Sequence, residues 1–383
     1  MSKLNPLLAF CFALLCFSIN IDAQSLIFTK KYSIEYFQLN QDFVVKSNNS
    51  IMIVGVYNNF VNMTTLEGDV INICEYSIPP EEAFFGINEA VALGNGKIVV
   101  NNWLNMHEVI ERSLIVIVDP HNCSSTKTLV MVQKEGERLG IKFLVPYHDS
   151  FDLYFWNNTI ARYSDSGERI HLDYQLDVGP NSREEYLRPV KPYDPSEGYF
   201  FSQIIYDNST RLKRLDSRFQ TIKETYFAPD VREISTTYNK VSFCRQYEDR
   251  KVDQWHSSCY FYDAQNLSRR ASVQMYGASS DFQLSHAVIA NLPDGSSLVA
   301  LSFELGWFAD EGYAKEYYLQ RVYADGTTGK PVFVDTYYNT IEHVSRTSMI
   351  LLDGGELCLI VQDLWFEYRR MKRRVNTKCF ILD

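Results

Sequence analysis

Seven short stretches of the chain share one pattern of apolar and polar positions. Each mixes a short apolar run with alternating apolar and polar residues, is rich in β-branched and aromatic side chains, and is bounded by Gly, Asn or Asp. This pattern predicts strands rather than helices. The stretches are residues 50–57, 96–103, 151–156, 198–206, 240–247, 296–303 and 355–362.

A second β-rich run follows each of these strands and ends near an acidic residue. These acidic residues recur at intervals of 46 to 62 residues, and they are Glu67, Asp119, Asp165, Asp216, Asp263, Asp325 and Asp383. Further strands are predicted before such a pair, as at 286–292, and after it, as at 330–335. A period of about 50 residues therefore predicts an array of seven units with four strands each.

Seven four-stranded units at this spacing are typical of a β-propeller, so the chain resembles the secreted β-propellers and is expected to be all-β with seven blades. The seventh unit stops after its third strand, at Asp383, whereas an unassigned strand begins near Ser25. We predict that this N-terminal strand docks as the outer strand of the last blade and closes the ring. A six-bladed ring with an irregular terminal segment is the alternative, because the two widest intervals leave room for a miscount.

Residues 1–23 are predicted to form a signal peptide. Lys3 provides a positive start, residues 6–17 are apolar, and Ala23 ends an acceptable cleavage site. No later stretch approaches the roughly 20 consecutive apolar residues that a membrane span requires. Residues 24–383 are therefore expected to form a single propeller domain in a secreted, extracellular protein.

The six cysteines after the predicted signal peptide indicate disulfides, because an even number is typical of oxidising compartments. Two pairs fall on the second and third strands of the same unit, where neighbouring strands come within bridging distance, and the third pair follows by elimination. The alternative is that some of the six are free buried thiols. The predicted pairs are Cys244–Cys259, Cys358–Cys379 and Cys74–Cys123.

Six sequons of the form N-x-[ST] agree with export and predict a glycoprotein. The acceptor residues are Asn48, Asn62, Asn122, Asn157, Asn208 and Asn266.

The composition narrows the classes of partner. Hydrophobic residues make up 46% of the 383 residues, enough for a large core, and no Gly-, Pro- or Ser-rich linker divides the chain. The formal charge of −10 disfavours binding to nucleic acid or anionic lipid. The partner is therefore expected to be an extracellular protein, a glycan or a small molecule, and the chain is expected to be a monomer without a cofactor.

The connections between second and third strands differ in length, and in a propeller they emerge on one face together with the connections between blades. Those of blades one, three and four are short and carry sequons, whereas those of blades two, five, six and seven are predicted to be long loops. These loops hold four of the five tryptophans, and they are Trp103, Trp255, Trp307 and Trp365. Aromatic residues on loops suit a recognition surface, so the loops of blades five to seven are the predicted ligand site. The alternative is that each Trp packs its loop against a neighbouring blade.

A basic cluster in the last of these connections belongs to the same predicted site. Its members are Arg369, Arg370, Lys372, Arg373 and Arg374. It fits an anion or glycosaminoglycan patch or, because residues 370–373 match R-x-K-R, a proprotein-convertase site. The alternative is a charged hairpin turn in solvent.

Four histidines, predicted at or near this face, define the competing function. His107, His256, His286 and His343 could hold a metal or shuttle protons in the central channel of a secreted hydrolase or lyase. No two of them have a metal-ligand spacing, and the common hydrolase, zinc-protease, P-loop and EF-hand motifs are missing. We therefore expect a binding or interaction module, although an enzyme without such a motif remains the alternative.

Overall fold

A computed structural model describes most of the chain, and the fold below refers to that part. The described residues are 27–36, 42–47, 50–57, 60–77, 83–105, 111–131, 140–170, 174–178, 182–189, 198–205, 209–227, 234–237, 240–249, 254–275, 282–308, 312–339, 346–352, 355–367 and 370–381. The predicted signal peptide lies outside them.

Seven antiparallel sheets of four strands each form a ring, as the sequence pattern predicts, and the six-bladed alternative is excluded. Blades one and two contain β2 (Asp42–Ser47), β3 (Ser50–Tyr57), β4 (Phe60–Thr65), β5 (Val70–Glu75), β6 (Ala83–Ala92), β7 (Ile98–Asn105), β8 (Glu111–Val118) and β9 (Lys127–Met131). Blades three and four contain β10 (Ile141–Tyr147), β11 (Ser150–Phe155), β12 (Thr159–Ser164), β13 (Tyr174–Gln175), β14 (Ser182–Pro189), β15 (Tyr199–Ile205), β16 (Thr210–Leu215) and β17 (Thr221–Phe227).

The remaining three blades follow the same order. Blades five and six contain β18 (Ile234–Thr237), β19 (Lys240–Asp249), β20 (Gln254–Asp263), β21 (Arg269–Gln274), β22 (Phe282–Asn291), β23 (Ser297–Phe308), β24 (Gly312–Val322) and β25 (Val332–Asn339). Blade seven contains β26 (Arg346–Leu351), β27 (Glu356–Glu367), β28 (Arg370–Ile381) and, from the other end of the chain, β1 (Ile27–Tyr36). The seven predicted second strands are β3, β7, β11, β15, β19, β23 and β27.

The N-terminal strand closes the ring, as predicted. Strand β1 pairs antiparallel with β28 from Ile27 opposite Ile381 to Tyr36 opposite Arg373. It therefore supplies the fourth, outer strand of blade seven, whose first three strands come from the C-terminus. The Lys46 Nζ of blade one also donates a hydrogen bond to the Leu351 carbonyl of blade seven at 3.0 Å. Both ends of the chain thus hold the last blade in place.

The apolar core lies between adjacent blades, and the second strands are buried on both faces. In β27, Leu357, Leu359 and Val361 pack with residues of blade six. Cys358 and Ile360 of the same strand pack with residues of blade one. This double burial explains why the second strands appear in the sequence as short apolar runs rather than as strict alternation.

First and second strands, and third and fourth strands, are connected at the end of the blades that we call the turn face, and several of the described connections there are tight turns. In blade six, the Gly295 amide donates to the Leu292 carbonyl and the Gly326 amide donates to the Tyr323 carbonyl. Both glycines have positive φ, 85° and 86°, a conformation that glycine adopts without a steric cost. The Asp-Gly signal at residues 325–326 therefore marks one of a repeated set of hairpin turns.

Lysines bridge neighbouring blades by donating to backbone carbonyls of the preceding blade. Lys213 on β16 donates to the Asp177 carbonyl at 2.6 Å and to its carboxylate at 3.0 Å. Lys378 on β28 donates to the Val334 carbonyl at 2.8 Å. Both side chains run along the inter-blade contact, so each ammonium group is satisfied where it is buried.

All three predicted disulfides are present. Two join directly opposed residues on the second and third strands of blades five and seven. The third, between Cys74 on β5 and Cys123 in the turn after β8, links blade one to blade two. This last bridge connects two blades covalently, whereas the other two each stay within one sheet.

Replacing both Cys74 and Cys123 with Ala is expected to lower the free energy of unfolding by about 4 kcal/mol, because the bridge closes a long loop in the unfolded chain. Its sequence separation is 49, against 15 for Cys244 and Cys259. The double substitution of that shorter pair is the matched control and is expected to cost about 1 kcal/mol less. Urea unfolding measures both, and an equal or larger loss in the control would contradict the expectation.

Candidate functional site

The connections predicted to be long loops in blades five to seven are instead extended antiparallel hairpins. Strands β19 and β20 pair out to Asp249 opposite Gln254. Strands β27 and β28 pair out to Glu367 opposite Arg370. The prediction of loops is wrong because cross-strand pairing continues past the point where blades one, three and four turn, even through charged runs such as 370–374. We call the strand ends 245–249 with 254–258, 304–308 with 312–315, and 362–367 with 370–375 the projecting hairpins.

These hairpins project because their strands are longer at one end. The second strands of blades five, six and seven have 10, 12 and 12 residues, against 8, 6 and 7 in blades one, three and four. All second strands begin at the turn face, so the additional residues lie at the opposite end, which we call the hairpin face. Four additional residues lengthen a strand by about 13 Å. Three consecutive blades therefore rise above one sector of the hairpin face.

The four tryptophans predicted to lie in loops belong to strands. The backbones of Trp103, Trp255, Trp307 and Trp365 lie in β7, β20, β23 and β27, respectively. The side chains of these four residues are outside the described part of the structure. The register places Trp255 opposite Glu248 and Trp365 opposite Lys372. The loop assignment is thus corrected, whereas the proposed role of the side chains stays a prediction.

The basic cluster lies in a strand rather than in a turn. Arg370, Lys372, Arg373 and Arg374 belong to β28, and Arg369 is outside the described residues. The alternative of a charged hairpin turn is corrected in one respect, because these four residues lie in the paired strand rather than in the turn itself. Acidic residues lie opposite part of the cluster in the strand register. Arg374 pairs with Asp363 on β27 and with Glu35 on β1.

The histidine site stays a prediction. His107 and His343 lie outside the described residues, and His256 and His286 have described backbones in β20 and β22 but no described side chains. Among the side chains that are described, no three of His, Cys, Asp or Glu come together as metal ligands.

The sequons differ in exposure. Asn122, Asn157 and Asn266 are exposed in turns. Asn62 differs from them, because it lies in β4 and its Oδ1 is buried without a hydrogen-bond partner. Asn48 and Asn208 lie outside the described residues.

Trp156, which the sequence argument left out, is the tryptophan that does lie in a connection. It follows β11 at the hairpin face of blade three and is 46% exposed. The Lys142 ammonium lies 5.0 Å from the centroid of its ring. The signal in the sequence is the pair Asn157-Asn158, which favours a turn directly after the strand.

The strongest described electrostatic feature is a buried network between blades three and four. Arg162 on β12 donates to both Asp152 carboxylate oxygens, at 2.7 and 3.0 Å, and the Tyr199 hydroxyl donates to Asp152 Oδ2 at 2.7 Å. The Arg162 guanidinium also stacks on the Tyr147 ring, 3.2 Å from its centroid. Burial and the neighbouring Asp152 carboxylate raise the pKa of Tyr199.

Groups with perturbed pKa values can mark an active site, but in this network the charges of Arg162 and Asp152 compensate each other. Burial alone would lower the pKa of Arg162, and the Asp152 carboxylate more than offsets this, so the pKa is raised. Asp152 is 1% exposed and Arg162 6% exposed. A substrate would have little access to either group, so the network is best interpreted as an ionic contact that fixes blade four against blade three.

Replacing Tyr199 with Phe is expected to lower the free energy of unfolding by about 1.5–3 kcal/mol, because it removes a hydrogen bond to a buried charge. Tyr154 is the matched control, since it is equally buried but donates to the neutral Asn158 amide oxygen at 3.0 Å. Its replacement with Phe is expected to cost about 0.5–1.5 kcal/mol. Denaturant unfolding measures both, and a smaller loss for the Tyr199 variant would argue against a charged partner.

Comparisons with known proteins support the fold and leave the family open. No protein-family model and no curated protein matches the chain. Among solved structures, a post-proline cleaving enzyme from Rickettsia typhi has a TM-score of 0.51 at 10% identity, covering 88% of this chain and 53% of that one. The chain therefore spans about half the length of that enzyme.

Two other structures are similar at lower scores. BamB from Moraxella catarrhalis has a TM-score of 0.44 at 10% identity over 92% of this chain and 100% of its own. A chain of the mitotic checkpoint complex has a TM-score of 0.45 at 12% identity over 95% of this chain and 98% of its own. At 10% identity, the similarity to the post-proline cleaving enzyme shows the fold alone. No helix within the described residues has the length and apolarity to cross a membrane.

Proposed function

We propose that this protein is a secreted, glycosylated binding module that contacts its ligand through the projecting hairpins of blades five to seven. The observation that carries the proposal is the length of these paired strands in three consecutive blades. Paired strands hold side chains more rigidly than loops do, and a rigid surface loses less entropy when it binds.

The residue types along these hairpins support a recognition surface. Trp255, Trp307 and Trp365 fall within them or at their ends, together with the basic cluster on β28. Trp and Arg are the residues most enriched at the centres of binding interfaces. The ligand is accordingly an extracellular protein, glycan or small molecule that offers apolar surface together with negative charge.

The distribution of sequons favours the same sector. The connections after the second strands of blades three and four hold the sequons Asn157 and Asn208, whereas Asn62 of blade one lies within β4. Glycans there would cover the opposite side of the hairpin face, whereas no sequon occurs in the projecting hairpins. Three disulfides are consistent with an oxidising, extracellular compartment.

A photo-crosslinking residue at position 365, in protein secreted into its native medium, is expected to yield a discrete cross-linked product. The same residue at position 226 is the control, because Tyr226 is 55% exposed on the outer strand of blade four. Combining the photo-crosslinking residue with the substitutions Trp255→Ala and Trp307→Ala is expected to abolish the cross-linked product at position 365. Combining it with Trp156→Ala in blade three is expected to leave that product unchanged. Equal products at 365 and 226 would refute the site.

Immobilised heparin tests whether the basic cluster binds a polyanion. The variant Arg370→Ala, Arg373→Ala, Arg374→Ala is expected to elute at a lower salt concentration than the natural chain, because each lost phosphate- or sulfate-type contact reduces the salt dependence of binding. The control is Arg218→Ala, Lys223→Ala, two exposed cations of blade four, which is expected to elute unchanged. Identical elution of all three proteins would restrict the proposal to other ligands.

A further inference from the structure

The turn between β11 and β12 presents an aromatic residue directly beside a sequon. The Asn158 amide donates to the Phe155 carbonyl at 3.0 Å, so Trp156 and Asn157 occupy the middle of a tight turn. Asn158 closes the turn with a positive φ of 66°. Side chains in the middle of such a turn stand outside the strand pair, and both of these are exposed.

The Asn157 side chain is oriented by its own sequon. Its Oδ1 accepts hydrogen bonds from the Thr159 amide at 3.1 Å and the Thr159 hydroxyl at 2.6 Å. The glycosylated atom of a sequon is the other amide atom, Nδ2, for which the described residues provide no hydrogen-bond partner. Nδ2 is therefore available for attachment while the amide plane is held in place.

The Trp156 ring is held from one side. Lys142 lies over it and also donates to the Asn158 Oδ1 at 3.2 Å. The Tyr154 hydroxyl donates to the same Oδ1 at 3.0 Å. Trp156 nevertheless leaves 46% of its surface exposed. A large aromatic surface that is fixed but exposed can gain free energy by burying that area.

We propose that the exposed part of Trp156 is a binding site for the first N-acetylglucosamine of a glycan attached to Asn157. The pyranose ring has an apolar face of C–H groups that matches an aromatic surface in size and polarity. The covalent link restricts this sugar to the immediate surroundings of Asn157, so no free ligand has to be recruited. The inference rests on the glycosylation in the proposed function and is independent of the projecting hairpins.

The attachment step uses an oligosaccharide carried on a polyprenyl diphosphate. A bond forms between the Asn157 Nδ2 and C1 of the first sugar, and the bond between C1 and the diphosphate oxygen breaks. The diphosphate leaves with the bonding electron pair, and one amide proton is released. The stacking that follows is noncovalent and needs no further reactant.

An anchored glycan would do more than add solubility. Packing on Trp156 would fix the direction in which the sugar chain leaves blade three, so the glycan would cover a defined part of the hairpin face. Asn266 provides the internal comparison, because it is exposed in a turn of blade five between Gln265 and Leu267. Gln265 is not aromatic, and Leu267 is 5% exposed. A glycan on Asn266 therefore has no exposed aromatic residue beside it in the chain.

The test compares Trp156 with and without the first sugar. The secreted protein is trimmed with an endoglycosidase that leaves one N-acetylglucosamine on each occupied site, and mass spectrometry measures occupancy. Hydroxyl-radical footprinting then measures oxidation of Trp156 in this protein and in the unglycosylated Asn157→Gln variant. We expect oxidation of Trp156 to be at least about twofold lower in the trimmed protein, because the sugar covers the ring.

The Asn266→Gln variant is the matched control and is expected to leave Trp156 oxidation unchanged. The thermal midpoint of unfolding is a second readout, measured in the natural chain and in a Trp156→Ala variant whose sequon is intact. The sugar on Asn157 is expected to raise this midpoint by about 1–3 °C in the natural chain. In the Trp156→Ala variant, the sugar is expected to leave the midpoint unchanged. An unoccupied Asn157 would overturn the inference together with glycosylation at this site. Equal oxidation with and without the sugar would overturn the stacking alone.

Discussion

Pairing of the two ends of the chain is the interaction on which the ring depends. Each blade is a single sheet whose second strand carries apolar side chains on both faces, so it can bury them only between two neighbours. An open array would expose one apolar face at each end. The contact between β1 and β28 completes blade seven, and Ile360 can then pack with Ile53 of blade one. The first and last strands of the fold therefore allow the apolar faces of blades seven and one to be buried against each other.

The polar contacts between blades follow from the same geometry. Where blades meet, a polar side chain is buried by two sheets at once, so it needs a partner. Lys213 and Lys378 find carbonyls of the preceding blade, and Asp152 of blade three is bonded by Tyr199 of blade four. The bridge between Cys74 and Cys123 acts at the same kind of boundary. Blade positions are thus specified by apolar packing together with a few directional contacts.

The two faces of the ring differ in what they can do. At the turn face, the described tight turns are closed by backbone hydrogen bonds, which leave little room for variation. At the hairpin face, strand length varies between blades without disturbing the core, because additional residues pair with each other beyond it. The proposed binding surface uses that freedom in blades five to seven, and the sugar proposed to lie on Trp156 belongs to the shorter sector of blade three. The projecting hairpins of blades five to seven would then offer a rigid contact surface, while a glycan would cover part of the hairpin face at blade three. Together they would direct a ligand to one side of the ring.

The sequence by itself determined the strand content, the seven repeats, the closure by the N-terminal strand and the three disulfides. The strand content and the repeats follow from local apolar patterns and a repeat period, and the closure follows from the fourth strand missing in the seventh unit. Two disulfides follow from cysteines on adjacent strands, and the third follows by elimination. Only the tertiary structure decided that residues 364–367 and 370–374 form paired strands, that Trp156 lies in a turn, and that Asp152, Arg162 and Tyr199 meet. Hairpin length depends on cross-strand pairing, which a loop-like run of charges such as 369–374 conceals. A buried ion network depends on which blades become neighbours, and residue spacing along one chain does not contain that information.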